Sequence, residues 1–305
     1  MNKLIIIHGT TASGKSSLSV EVAKELSCSI LSADSRQFYK ELIIGTAKPS
    51  TDDMSGIPHY FIDSHSIYDM PLSSSEFMRL GRQTVHRIFD NSNKFLIVTG
   101  GSGMFIDALI DGLHPLPSNS EVRIKLQEIW MKDGLGPLLN ELEMKDVESF
   151  KTIDINNPMR IIRALEIIRV SGKKMSELRK IPKERLAYPA IRFCINWNTE
   201  DLYERINNRV DEMLHNGLFD EINHLPLKDN LLLQNTVGYK EWLAYFDGEA
   251  TLPEVVNSIK KNTRNYAKRQ KTWLRRYPDL IHLDPYEKRS LKDQLITHLN
   301  CESCI

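Results

Sequence analysis

The sequence is poor in several features that would otherwise point to a class of protein. Cysteine is scarce: four in 305 residues (Cys28, Cys194, Cys301 and Cys304), too few and too scattered for a disulfide framework. Cys301 and Cys304 form one C-x-x-C at the very end, where a frayed tail competes with a metal or redox site. No apolar run approaches the roughly 20 residues of a membrane span, and His8-Gly9 cut the apolar start short of a secretory signal. The expectation is a cytoplasmic protein with no membrane partner, acting as a monomer. His59, His65 and His86 show no metal-ligand spacing. Acidic residues are absent from 257–277, which holds eight Lys or Arg, and sparse in 157–192, which holds ten against three Glu. The net charge of +0 therefore hides two basic segments, which suit a polyanionic partner or form solvated helix faces.

What is present begins at the start of the chain. Leu4 to Ile7 is an apolar strand, and Gly9, Thr10, Thr11, Ala12, Ser13, Gly14, Lys15 and Ser16 follow as a phosphate loop, G-x-x-x-x-G-K-[ST]. Leu18, Val22 and Leu26 give the helix that such a loop needs behind it. Inward-pointing backbone N–H groups and the positive end of that helix favour two linked phosphates. Lys15 adds a point charge, and the Ser16 hydroxyl is a candidate ligand for Mg²⁺.

Cys28 to Ser32 forms a second short strand ending at Asp34-Ser35-Arg36-Gln37. A carboxylate at the C-terminal end of a strand neighbouring the phosphate loop faces the ligand crevice of an open parallel sheet. Asp34 is thus the acid–base candidate, with a helix cap as the plainer alternative. A third strand, Lys94 to Val98, runs into Thr99-Gly100-Gly101-Ser102-Gly103. A motor ATPase would carry an aspartate there to hold Mg²⁺ for hydrolysis. The lack of one favours a phosphate-binding transferase or kinase fold, with Ser102 as a hydroxyl donor in the glycine loop.

Gly112 to Ser120 reads as a linker, and from Glu121 to about Arg185 the periodicity is helical throughout. Asn157 caps one helix, Pro158 opens it and Gly172 closes it. Ile161, Ile162, Leu165 and Ile168 share one side of that helix, with Arg160 and Arg163 opposite, available to phosphate or simply solvated. Ala190 to Asn196 resumes the sheet, and Thr199 opens a helix with Leu202, Ile206, Val210 and Met213 on its apolar face. Gln234 to Glu241 is a polar loop. A last long helix runs from about Pro253 to Tyr277, with Val256, Ile259, Thr263, Tyr266, Gln270 and Trp273 as one stripe. Lys261, Arg264, Lys268, Lys271 and Arg275 form the opposite stripe, a cation row along about 35 Å that suits a nucleic-acid backbone. The organisation expected is an α/β core, 1–112 with 190–305, and an all-helical insertion, 113–189.

Seven segments, in order along nearly the whole chain, carry a resemblance: Gly9 to Ser16, Asp34-Ser35-Arg36-Gln37-Phe38-Tyr39, Ile44-Gly45-Thr46-Ala47-Lys48-Pro49, Gly100-Gly101-Ser102-Gly103, Arg160 with Arg163-Ala164-Leu165-Glu166, Val237-Gly238-Tyr239-Lys240-Glu241, and Thr263-Arg264-Asn265-Tyr266-Ala267-Lys268-Arg269-Gln270. The sequence resembles the bacterial type of the tRNA dimethylallyltransferase family, also called tRNA isopentenylpyrophosphate transferases. The resemblance implies a P-loop-kinase-like α/β core whose parallel sheet is flanked by helices, plus a tRNA-binding helical insertion. It implies transfer of a dimethylallyl group from dimethylallyl diphosphate, with Mg²⁺, to N6 of the tRNA adenosine 3′-adjacent to the anticodon.

By the same resemblance the phosphate loop holds the prenyl diphosphate, with Lys15 on the leaving group. Asp34 acts as general base on N6, and Ser102 assists at the diphosphate or the developing charge. Asp34, Ser35, Arg36, Gln37, Ser102, Arg123, Met159, Arg160, Ile161, Ile162 and Arg163 contact tRNA, and the cation row of the last long helix adds Arg264 and Lys268. The sequence departs from the family pattern at Thr10, commonly Pro, at Ser102, commonly Thr, and at Met104-Phe105, commonly Leu-Tyr. Phe105 lacks a phenol, which puts any hydrogen bond from that position in doubt. An adenine-nucleotide prenyltransferase and an ATP-dependent small-molecule kinase use the same loop and stay open, as does an RNA-binding module with a vestigial loop.

Overall fold

The computed structural model describes residues 2–91 and 93–302. Cys304, and with it the C-x-x-C, lies outside them, while Cys301 is exposed near the end of helix Leu291–Glu302. Contacts divide the chain into two compact units, Met1–Ile110 with Ala187–Ile305, and Asp111–Leu186.

The first unit is built on six parallel strands: β1 Lys3–His8, β2 Ser29–Ser32, β3 His59–Tyr60, β4 Phe95–Gly100, β5 Ala190–Ile195 and β6 Ile281–Leu283. Their order across the sheet is β3-β2-β4-β1-β5-β6. The central strands are short apolar runs because both of their faces are covered. Ile5 and Ile7 of β1 pack with Leu18 and Val22 of helix Lys15–Leu26 and with Leu295 of the last helix. The alternating Leu4 and Ile6 are buried on the other face, where helix Ser74–Asp90 crosses helix Gly103–Asp111 at Gly81 and Leu109. Phe105 belongs to that side, 5.1 Å from the Phe77 ring and 5.5 Å from Phe38. Its ring fills an aromatic cluster in which a phenol would need a partner.

Register places the functional strand ends together. In the parallel ladders His8 sits opposite Gly100, and Ser32 opposite Thr99, so the chain leaving β1, β2 and β4 emerges at one edge of the sheet. The edge strands β3 and β6, of two and three residues, are too short to show a period, and sequence reading missed both.

The second unit is helical: Ser120–Asp133, Gly136–Lys145, Val147–Thr152, Pro158–Ser171 and Met175–Leu178. Asn157 accepts the Arg160 N–H, Pro158 opens the helix, and Gly172 ends it at φ +68°, as the punctuation requires. Its core is Leu126, Leu138, Leu142, Ile161, Ile162, Leu165 and Ile168. This corrects the expectation for Ile161 and Ile162 as tRNA contacts: both are 0% exposed, and their side chains are spent on the core. Glu166 is buried on the same helix and accepts from Asn119 N–H, Arg123 and Arg163. Arg163 also holds the Pro117 carbonyl at 2.8 Å. Arg123 and Arg163 are thus anchored within the unit by a buried carboxylate, while Met159 and Arg160 are exposed.

Candidate active site

The loop Gly9–Ser16 connects β1 to helix Lys15–Leu26. Gly14 takes φ +92° at the start of that helix, a left-handed turn that favours glycine. Two side chains, one from the turn after β5 and one from helix Thr199–His215, hold the loop from behind: Trp197 Nε1 donates to the Ser13 carbonyl at 2.9 Å, and Arg205 Nε to the Ala12 carbonyl at 2.8 Å. With those carbonyls tied outward, the N–H groups near the helix start are left for an anion, while the Thr11 N–H is held by Gln270 Oε1 at 2.8 Å. Lys15 Nζ folds back onto the Thr10 carbonyl at 3.0 Å. Burial first, and Arg209 next, lower the Lys15 pKa to about 8, with Asp34 opposing them.

The sheet edge brings the second half of the site to the loop. Ala33 N–H bonds the Thr99 carbonyl at 2.7 Å, which carries Asp34 past the end of β4. The Asp34 carboxylate accepts Arg36 N–H at 3.0 Å and lies within electrostatic reach of Lys15 and Arg209. The Ser102 hydroxyl accepts Ser35 N–H at 3.1 Å and donates to Ser35 Oγ at 3.0 Å. The Tyr266 phenol reaches the same point and is pushed up to about 12, by burial first and then by the Asp34 charge. Lys15, Asp34, Arg209 and Tyr266 line the polar side of a cavity of about 250 Å³, whereas Ser102 lines a second cavity that shares Ser35, Tyr266 and Gln270 with it. Ile206, Val210, Met213, Val237 and Ile259 make the apolar wall of the first. A larger open cleft of about 950 Å³ runs outside the loop and shares Lys15, Ser16 and Arg209 with that first cavity.

Arg209 is the cation that the sequence analysis missed. It sits on helix Thr199–His215, one residue from Val210 on the apolar stripe, and gives one N–H to Thr11 Oγ1 at 3.3 Å and another to the Thr46 carbonyl at 3.4 Å. Glu221 was missed as well. Its carboxylate accepts the N–H groups of Ile43, Ile44 and Gly45 at 3.1, 2.6 and 3.1 Å, and the Tyr239 hydroxyl at 2.6 Å. It thereby ties the Ile44–Pro49 segment to the Val237–Glu241 segment, two stretches that read as plain loops. Gln37, 8% exposed, donates to the Thr46 and Ala47 carbonyls and helps to hold the same loop.

The long helix Leu252–Leu274 differs from its reading. Val255, Ile259 and Ala267 are its buried apolar positions, whereas Thr263 and Tyr266 line the cavity. The cation row is not bare: Arg264 donates to Asn207 at 2.6 Å, Lys271 to the Trp197 carbonyl at 3.0 Å, and Lys268 lies over the Tyr203 ring. Lys261, Lys268 and Arg275 keep exposed side chains. Met159, Arg160 and Arg163, and with them Arg123, belong to the helical unit.

For Mg²⁺, the Ser16 hydroxyl opens the helix at the cleft, and no cluster of three His, Cys, Asp or Glu occurs among the described residues. One hydroxyl beside an anion site fits an ion that keeps its waters and takes its remaining ligands from phosphate oxygens.

The strand before Asp34 is not next to the phosphate-loop strand, as the sequence suggested, but two places along with β4 between them, and the shared sheet edge still brings the two together. A parallel sheet with a phosphate loop on a central strand and a carboxylate at the end of the strand two places away defines a phosphate-loop α/β protein whose cavity has an apolar wall. Residues 37–277 match the family model described as IPP transferase. The chain is 41% identical over 280 residues to a tRNA dimethylallyltransferase of Christiangramia forsetii, covering 92% of each, and 40% identical to that of Clostridioides difficile, covering 97% of each. A solved tRNA isopentenylpyrophosphate transferase of Staphylococcus epidermidis superposes with a TM-score of 0.70 at 35% identity, over 99% of this chain and 100% of that one. A eukaryotic dimethylallyltransferase solved acting on tRNA gives a TM-score of 0.84 at 25% identity, over 99% of this chain and 80% of that one. The chain belongs to the IPP transferase family. No helix among its described residues is long and apolar enough to cross a membrane.

The Lys15 environment sets a pH dependence. Only the protonated amine attracts diphosphate, and its pKa of about 8 means that the charge is lost as pH rises through that value. The kcat/KM for the phosphate-bearing substrate, which reports the free enzyme, is expected to fall by up to about tenfold per pH unit above about 8. In Lys15→Arg, whose guanidinium stays charged, a rate–pH profile is expected to lack this alkaline limb at whatever activity remains.

Proposed function

We propose that the protein transfers a dimethylallyl group from dimethylallyl diphosphate to N6 of the adenosine 3′-adjacent to the anticodon of tRNA, releasing diphosphate. The observation that carries this reading is the 250 Å³ cavity, which joins a diphosphate-binding loop, an apolar wall and the Asp34 carboxylate in one space. A kinase needs no apolar wall beside its phosphates, whereas a five-carbon allyl group does.

In this reading the loop N–H groups, Lys15 and Arg209 bind the diphosphate, and Ile206, Val210, Met213, Val237 and Ile259 cover the prenyl chain. The lone pair of an adenine amine is delocalised, so it attacks well only when it is aimed at the allylic carbon and relieved of its proton. Asp34 takes the N6 proton as the N–C bond forms. The C–O bond to diphosphate breaks with its electron pair leaving on oxygen, and Lys15 and Arg209 meet the growing charge. Ser102 and Tyr266 offer hydroxyls to the acceptor side. Mg²⁺, held by Ser16 and phosphate oxygens, supplies further charge neutralisation when bound.

The adenine cannot be reached while stacked, so the base must be splayed out of the anticodon loop. Ser35 and Arg36 at the cavity, the exposed Lys268 and the Arg264 beside it on the long helix, and Met159, Arg160, Arg123 and Arg163 of the helical unit are the surfaces we assign to tRNA. We place the protein in the cytoplasm, acting as a monomer.

The test is a transfer assay with labelled dimethylallyl diphosphate and Mg²⁺, offering unmodified tRNA, the same tRNA without the anticodon-adjacent adenosine, and AMP. Label in the first alone is the expected result. Label in AMP assigns the protein to nucleotide prenylation, and no transfer together with ATP-dependent phosphorylation of a small substrate overturns the reading.

A further inference from the structure

Gln270 stands between the two halves of the cavity. It is 6% exposed on the long helix, and its amide makes two bonds of opposite polarity: Oε1 accepts Thr11 N–H at 2.8 Å, and Nε2 donates to the Gly101 carbonyl at 2.9 Å. Thr11 belongs to the phosphate loop, and its hydroxyl is also held by Arg209. Gly101 immediately precedes Ser102, which is bonded to Ser35 beside Asp34. One side chain thus spans from the loop that would hold the departing diphosphate to the loop that would meet the attacking adenine. Gly101 is shaped to it, since a Cβ there would lie 2.3 Å from Gln270 Nε2. A buried amide that satisfies an N–H with its oxygen and a C=O with its nitrogen fixes both backbones at once. No side chain of the same length without that donor–acceptor pair does so.

We propose that Gln270 is a positioning residue that sets the separation between donor and acceptor loops, and hence the distance over which N6 attacks the allylic carbon. This rests on the prenyl-transfer reading above. Gln270 also lines the cavity, but in this role it acts through the two backbones it holds, so its removal is expected to act on the step more than on binding. A misplacement of about 1 Å between reacting groups is enough to cost about a hundredfold in rate.

The Gln270→Glu variant keeps the size and the bond from Thr11 N–H but faces the Gly101 carbonyl with an oxygen, and Gln270→Met keeps neither bond. Each is expected to lower the single-turnover rate constant by about 10- to 100-fold, and in the uncharged Gln270→Met the dissociation constants for inorganic diphosphate and for an anticodon stem-loop are expected to stay within about threefold of the unsubstituted protein. Gly101→Ala, which pushes the amide away, is expected to lose a similar factor. Its combination with Gln270→Met is expected to lose little more than either alone, because both cut the same strut. A rate constant within about threefold of normal overturns the proposal. So does a loss matched by equal weakening of both ligands and a lower melting temperature, or multiplicative losses in the double variant. If the unsubstituted protein transfers no label, the reading of the reaction fails. If it is active and the Gln270 variants are too, the positioning role alone fails.

Discussion

Asp34→Asn is expected to lower the rate constant for transfer by about 10²- to 10⁴-fold while the dissociation constant of the anticodon stem-loop stays within about threefold. The substitution suits the question because it isolates the base. An asparagine oxygen still accepts the Arg36 N–H that the carboxylate holds at 3.0 Å, so the turn after β2 keeps its bond and Ser35 stays on Ser102. What is lost is the site that receives the N6 proton, together with a negative charge near Lys15 and Arg209. Removing that charge leaves the two cations less balanced, so inorganic diphosphate is expected to bind as tightly as before or tighter. A rapid-quench single-turnover measurement beside two binding titrations separates these effects. Near-normal turnover would remove the base assignment, and a collapse of stem-loop affinity would make Asp34 a binding residue.

Arg209→Met is expected to lower kcat by about 10²- to 10³-fold, as loss of one donor aimed at developing charge does elsewhere. The guanidinium is costly to keep where it is: burial is the largest influence on it and lowers its pKa, with Asp34 and Glu212 opposing. Only two of its N–H groups are engaged, by the Thr11 hydroxyl and the Thr46 carbonyl at the long distances of 3.3 and 3.4 Å. A half-buried cation held that loosely by neutral oxygens is poised for an anion in the cleft. Arg209→Lys is expected to recover only part of the loss, because a point charge cannot bridge the phosphate loop and the Thr46 loop together. The check is kcat beside the inhibition constant of inorganic diphosphate. Loss of diphosphate binding with kcat unchanged would mean that Arg209 acts equally on ground state and transition state.

The helical unit illustrates how far local pattern carries. Its main helix is punctuated by Asn157, Pro158 and Gly172, and the residues predicted for one side, Ile161, Ile162, Leu165 and Ile168, form its core. That same burial takes the Ile161 and Ile162 side chains off the surface. A resemblance spanning consecutive residues cannot tell the two sides of a helix apart, whereas a period of 3.6 can.

What the sequence determined by itself was whatever is written in neighbouring residues. The phosphate loop needs only its glycines, Lys15 and Ser16 between a strand and a helix. Asp34 needs only to follow a short apolar strand, and the helical stretch needs only its period and caps. Parallel pairing then carries these pieces to one sheet edge, because His8 and Gly100, and Ser32 and Thr99, lie in register.

The tertiary structure alone decided what joins them. Thr11 and Gln270 are 259 positions apart, and Arg209 reaches Thr11 across 198. Both sit on helices whose periodicity is dominated by the residues around them, so Gln270 read as one member of a stripe opposite the cations and Arg209 went unmarked. Nothing around Glu221 in the sequence marks it, yet its carboxylate holds three consecutive N–H groups of a distant loop. A side chain's partner depends on which face of its helix meets which strand end, and that is fixed by packing of the whole core.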